Sequence, residues 1–122
     1  MKKISVPPIK CQGIKTKLVP WILNNMPRMD KGLYIEPFLG SGVVAFNVLP
    51  ERAMLADSNP YIIQFYQGLQ KNKYTSRVIG NFLRSEGEKL SREGDAYYYQ
   101  VRQRFNEDHN PLDFLFLSRA CF

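Results

Sequence analysis

"YIEPFLGSGVVAF", Tyr34 to Phe46, decides how this 122-residue chain is read. A short β-prone run from Leu33 to Ile35 meets Glu36, Pro37 and Phe38, after which Gly40 and Gly42 flank Ser41 and the apolar "VVAFNVL" follows. Glycine reaches backbone angles closed to other residues and lets a ligand approach the main chain. The spacing therefore predicts a tight strand-to-helix turn whose N–H groups and positive helix end face a polar ligand. A turn that binds nothing has the same local signature, and "GSGVVA" also fits the G-x-G-x-x-A dinucleotide fingerprint.

The flanking sequence extends this unit in both directions. Upstream, Leu18, Val19, Ile22 and Leu23 recur at helical spacing between Thr16 and Asn25, and Pro27 stops them. Downstream, a second β run from Arg52 to Ala56 ends at Asp57, and Asn59 with Pro60 reads as the cap and first position of a helix bearing Ile62, Ile63, Phe65, Tyr66 and Leu69. Strand, glycine turn, helix and strand in that order predict a βαβ unit with a parallel sheet. Asp57, at the end of the second strand, is then placed to accept hydrogen bonds from ribose hydroxyls, although a plain helix-entry residue would occupy the same position. Together the two strand ends point to an adenosine-containing cofactor, with a non-catalytic nucleotide- or DNA-binding module and an NAD-binding oxidoreductase fragment as the alternatives.

The remainder reads as helical. Val78, Ile79, Phe82 and Leu83 mark one helix and "DAYYYQVRQRF" a second; Asn110, Pro111 and Asp113 resemble the cap, first position and capping-box partner of a third. Helices in succession without a strand suggest an insertion or lid beside the sheet. Of Tyr97, Tyr98 and Tyr99, the helical period buries one and exposes two, though all three could stack on bases. The final run "PLDFLFLSRACF" stops without a polar or glycine terminator, which reads as a longer polypeptide cut at this point or as a buried terminal helix.

Composition sets the outer limits. One domain's worth of chain with 44% hydrophobic residues can bury a core. No apolar run approaches the roughly 20 residues that span a bilayer, and no signal-peptide core follows Lys2 and Lys3, so a cytoplasmic location is expected. Cys11 and Cys121 lie at opposite ends and His109 is the single histidine, a pattern without zinc or disulfide spacing. Seventeen Lys and Arg against 11 Asp and Glu, a net charge of +6, permit a polyanionic partner.

Three blocks in order, "IKCQGIKTKLVPWI", "YIEPFLGSGVVAFNV" and "MLADSNPYIIQFYQGL", resemble the Dam-type (D12 class) DNA adenine-N6 methyltransferases, and the resemblance covers nearly the whole chain. It implies a partial Rossmann-like, S-adenosylmethionine-dependent methyltransferase fold of the α/β class. Residues 1–72 would form the cofactor-binding part, and 73–122 a helical segment leading to the DNA-recognition region. The family's first block reads Trp-Ala-Gly-Gly-Lys and touches the methyl donor; here Cys11, Gly13 and Lys15 occupy it, with Cys11 in place of the tryptophan and Ile14 in place of a glycine. Lys15 and Lys17 alone would read as a solvated helix start.

Glu36, Pro37, Phe38, Gly40, Ser41 and Gly42 match the Glu-Pro-Phe-x-Gly-x-Gly block, which implies a turn wrapped around the donor's amino-acid moiety with Phe38 beside it, or Phe38 in the core. Asp57 and Ser58 match Ala-Asp-x-Asn, with Asp57 expected on the ribose. Arg119 and Phe122 fall where the family approaches DNA, Arg119 towards a phosphate and Phe122 towards a base, unless both simply finish a helix. The family's catalytic Asp-Pro-Pro-Tyr is not in this sequence; Pro7 and Pro8 precede Ile9, and Asn59-Pro60-Tyr61 is a helix cap. The expectation is thus the amino-terminal part of a site-specific enzyme acting on adenine in double-stranded DNA, without catalytic residues and inactive alone, with a complementing carboxyl-terminal portion as partner.

Overall fold

A computed structural model of the chain describes residues 2–11, 13–29 and 31–120. They fall into two compact units, Met1–Asn59 and Pro60–Phe122. Among the described residues no helix is long and apolar enough to cross a membrane.

The first unit is the expected βαβ beginning. A single 3-10 turn, Thr16–Leu18, leads into helix α1, Val19–Asn25, with Pro20 in its first turn, where its missing N–H costs nothing. Strand β1, Tyr34–Glu36, and strand β2, Ala53–Leu55, pair in parallel with Tyr34 opposite Ala53, Ile35 opposite Met54 and Glu36 opposite Leu55. Side chains alternate faces along a strand. Ile35 and Met54 therefore share one face, where they stay 59% and 56% exposed, while Tyr34, Glu36 and Leu55 turn to the more covered side.

Between the strands, helix α2 runs only from Ala45 to Val48. The apolar "VVAFNVL" predicted a longer helix, but Leu49 enters the left-handed region at φ +51°, and its N–H closes on the Ala45 carbonyl. The buried apolar residues of this unit are Ile9, Val19, Leu39, Val43 and Ala45.

Asn47 interrupts that apolar run for a reason. Its Oδ1 accepts the Ser5 N–H at 2.9 Å, and its Nδ2 donates to the Ser5 carbonyl at 2.9 Å and the Val43 carbonyl at 2.6 Å. One carboxamide thus grips both backbone groups of a residue 42 positions earlier and clasps the amino-terminal arm to α2.

The second unit holds helices α3, Pro60–Gln70; α4, Ser76–Glu93; α5, Asp95–Asp108; and α6, Pro111–Ala120. Thr75 caps α4 by accepting the Val78 N–H, and Gly94, at φ +67°, turns the chain from α4 into α5. Tyr97, Val101 and Phe116 form a core against which Phe82, Leu83, Leu90 and Leu117 pack. Of the three tyrosines, Tyr97 is buried, Tyr98 half-buried and Tyr99 exposed, so one ring is buried as the helical period suggests, but only one of the other two lies fully outside.

Asp113 departs from the capping-box expectation. Asn110 does cap α6, its Oδ1 accepting the Leu112 N–H at 2.9 Å, but the Asp113 carboxylate receives Arg104 Nη2 at 2.6 Å and Nε at 2.9 Å. Arg104 also reaches Glu86 at 3.4 Å, and Glu86 accepts the Tyr97 hydroxyl and meets Lys89 at 3.4 Å. Glu86 and Asp113 are 5% and 3% exposed, which ionised carboxylates tolerate only when paired. One guanidinium therefore ties α4, α5 and α6 together.

Candidate functional site

The glycine turn follows β1 directly. Leu39 N–H donates to the Ala56 carbonyl at 2.9 Å, which continues the strand pairing into the turn, and Gly42 N–H closes on the Leu39 carbonyl at 3.0 Å. Gly40 and Gly42 hold φ of +57° and +88°, a region that costs an L-residue about 1–2 kcal/mol. Their surroundings differ. A Cβ on Gly42 would collide with the Phe46 ring, whose Cδ2 lies 2.9 Å away, whereas a Cβ on Gly40 would meet nothing within 4 Å. Gly42 is thus a packing glycine, and Gly40 opens its Cβ side to space.

Asp57 joins the two strand ends. Its Oδ2 accepts the Gly40 N–H at 2.8 Å and its Oδ1 the Asn59 N–H at 2.9 Å. Each carboxylate oxygen has a second lone pair, so the half-buried Asp57 keeps acceptor capacity after both bonds are made.

Glu36 turns back rather than outward. It accepts the Tyr34 hydroxyl at 2.9 Å and the Ala45 N–H in the first turn of α2. Burial pushes its carboxyl above the ordinary value of 4.5, against the lowering effect of those two donors. The same contact, after burial, holds the Tyr34 phenol well above its usual range. Ser41 is buried, its Oγ accepting the Val43 N–H at 3.3 Å. Phe38 lies outside the core at 86% exposure, and Pro37 and Ser58 are exposed as well.

Burial, then the nearby Asp57 carboxylate, pushes the Cys11 thiol above its ordinary value of 9.0, so Cys11 lies within electrostatic reach of the acid. Gly13 is exposed at φ +70°, and the exposed Lys15 starts the 3-10 turn, its carbonyl accepting the Leu18 and Val19 N–H groups. Gly40 and Asp57, from two separated blocks, thus meet at one strand-end position. Arg119 is exposed in the last turn of α6, in the second unit, and Phe122 lies outside the described residues.

Sequence reasoning did not find the Asn47 clasp that holds the arm leading to Cys11. The signal was a lone carboxamide inside "VVAFNVL".

Comparison with known proteins agrees with the family resemblance. The model of the family described as D12 class N6 adenine-specific DNA methyltransferase matches residues 12–122. A relative named type II methyltransferase M.MjaIII, from Methanocaldococcus jannaschii, is 29% identical, with 95% of this chain matched to 46% of the relative. The DNA adenine methylase of Haemophilus influenzae is 32% identical, covering 95% of this chain and 41% of its own length. The DNA N-6-adenine-methyltransferase of Escherichia phage P1 is 34% identical over 93% of this chain and 15% of the relative. The chain thus spans less than half the length of these relatives, and its mixed helices and small parallel sheet are compatible with a methyltransferase-like α/β fold. By a match extending over nearly all of its residues, the chain belongs to the D12 class N6 adenine-specific DNA methyltransferase family.

Proposed function

We propose that this chain supplies the S-adenosylmethionine-binding part of a DNA adenine-N6 methyltransferase, with the beginning of a Rossmann-like fold. The observation that carries the reading is the bond between Asp57 and the Gly40 N–H, which fixes an acidic acceptor beside a glycine turn at the carboxyl ends of two parallel strands. Open α/β sheets bind ligands at that end. The open side of Gly40 and the remaining lone pairs of Asp57 fit an amino-acid moiety lying on the turn and a ribose presenting hydroxyls to the acid.

In this reading Gly40 and Gly42 shape the turn, Glu36 and Ser41 brace it from behind, and Cys11, Gly13 and Lys15 close over it from the amino-terminal arm. Pro37 and Phe38 form its exposed lip, where the Phe38 ring is available for an apolar contact, and Ser58 extends the rim beyond Asp57. Residues 1–72 serve the donor, 73–122 lead towards DNA, and Arg119 is a phosphate contact in the whole protein, which is cytoplasmic.

Bound S-adenosylmethionine supplies an activated methyl group. The chain's own residues orient that donor, and transfer to an adenine amine demands positioning and charge stabilisation rather than a protein nucleophile. A flipped adenine must also be stacked and its amine held by acceptors. No Asp-Pro-Pro-Tyr is present in this sequence to do so, and the 122-residue chain by itself transfers no methyl group.

Isothermal titration with S-adenosylmethionine, with NAD as competitor, tests the proposal. Donor binding that ignores NAD and weakens in Asp57→Ala supports it; preference for NAD overturns it. Methylation of adenine in duplex DNA by the purified chain alone would refute the assignment of catalysis to a segment outside it.

A further inference from the structure

The turn between α3 and α4 bounds a cleft of about 190 Å³ lined by Gln64, Gln67, Lys71, Lys73, Tyr74 and Pro111. We infer that this cleft grips a phosphate of the nucleic-acid backbone, a contact separate from the glycine turn. The inference rests on the DNA-directed function proposed above.

The lining is one-sided in charge: two ammonium groups, two carboxamides and no carboxylate. Lysines just past a helix end often serve the last carbonyls and the helix dipole. Here the backbone already serves those carbonyls. Asn72 takes the left-handed conformation at φ +57°, Lys73 N–H donates to Gly68 at 2.9 Å, Asn72 N–H to Leu69 at 3.1 Å, and Lys71 N–H to Gln67 at 2.9 Å. Among the described residues, the ion pairs are Lys89–Glu86, Arg104–Glu86 and Arg104–Asp113, so neither Lys71 nor Lys73 is committed to an acid.

The wall behind the lysines is fixed. Tyr74 is buried, its hydroxyl donates to the Phe65 carbonyl at 2.6 Å, and its ring stacks on Phe65 at 5.6 Å. It can lie there because Gly68 has no side chain; a Cβ at that position would sit 2.5 Å from Tyr74 Cζ. A volume near 190 Å³ is several times the about 30 Å³ of a water molecule but below the about 300 Å³ at which small-molecule pockets begin. One hydrated anionic group fits the space better than a whole nucleotide. With a net charge of +6 on the chain, a backbone phosphate is the occupant these donors suit.

The test uses the whole chain without methyl donor, so its outcome is independent of what the glycine turn binds. Fluorescence anisotropy with a mixed-sequence DNA duplex is measured across salt for the parent, for Lys71→Gln/Lys73→Gln, and for Arg84→Gln/Arg92→Gln, an equal loss of charge on α4. Neutralising one phosphate contributes about 0.9 to the slope of log affinity against log salt. The lysine variant should lose about that much slope, so its affinity falls roughly 3–4-fold less than the parent's between 50 and 200 mM salt. The α4 variant should keep more of the slope. Equal slope losses in the two variants, or none in the lysine variant, overturn the inference. Inorganic phosphate is titrated in parallel by NMR: saturable shifts at Lys71 and Lys73 while DNA leaves both unmoved would assign the cleft to free phosphate and overturn the nucleic-acid source.

Discussion

Replacing Asp57 by asparagine tests two roles with one atom. The carboxylate accepts one N–H on each oxygen, from Gly40 at 2.8 Å and from Asn59 at 2.9 Å. A carboxamide offers a single acceptor, so its NH2 must face one of the two N–H donors. One charge-assisted bond is lost outright, at about 1.5–3 kcal/mol, and the half-exposed setting of Asp57 favours the lower half of that range. At about 4 °C per kcal/mol for a chain of this size, the melting temperature should fall by roughly 6–9 °C.

Donor affinity should drop further, because a ribose hydroxyl meets a neutral partner in place of a charged one; about 1.5–3 kcal/mol corresponds to roughly 10- to 150-fold in Kd. Thermal unfolding by circular dichroism and titration with S-adenosylmethionine read the two effects separately. A variant that melts early yet binds the donor as well as the parent would sink the ribose role and leave Asp57 as a turn closure. Unchanged melting together with unchanged binding would refute the bridging geometry as well.

The two glycines of the turn should separate in the same assays. Gly42→Ala should cost about 2–4 kcal/mol through left-handed strain and collision with Phe46, whereas Gly40→Ala should cost about 1–2 kcal/mol yet abolish measurable donor binding; equal destabilisation would contradict the packing difference. Asn47→Ala removes the two exposed bonds to Ser5, about 0.5–1.5 kcal/mol each, and frees the arm. In a Cys121→Ser background, Cys11 should then react faster with a thiol reagent as its pKa returns towards the ordinary 9.0, and an unchanged rate would show that the arm stays docked without the clasp. For Glu86, burial raises the pKa, but the Tyr97 hydroxyl and the Lys89 and Arg104 charges outweigh it and hold the carboxyl below its ordinary 4.5. A depressed folded-state pKa contributes stability that is complete above the ordinary value and lost as pH falls through the folded one. Helical circular dichroism should therefore weaken with acid below pH 4.5, and Glu86→Gln should flatten that limb; identical acid titrations would exclude the contribution.

The parts of this protein written locally were legible in its sequence. Gly40 and Gly42 need left-handed angles, and a β-prone run before them and an apolar run after them leave few other folds for the turn. Asp57 was readable because it ends the next β run. What escaped reading depends on partners far along the chain. Asp113 has the local signature of a capping box, but Arg104, nine residues earlier on another helix, offers a two-pronged bond that a backbone N–H cannot match. The helix in "VVAFNVL" stopped early because Leu49 turned left-handed, which no periodicity announces. Phe38 was readable as core or lip from its type alone, and only the three-dimensional arrangement put it outside.

The Asn47 clasp also sets an order of events during synthesis. Ser5 and its partner lie 42 positions apart, and translation adds about 5–20 residues per second, so the arm waits roughly 2–8 s for the group that holds it. Through that interval Ile9, fully buried in the finished unit, has no α2 beside its arm. Asp57 follows ten residues after Asn47, so the arm can be secured before the bond from the Gly40 N–H to Asp57 locks the turn.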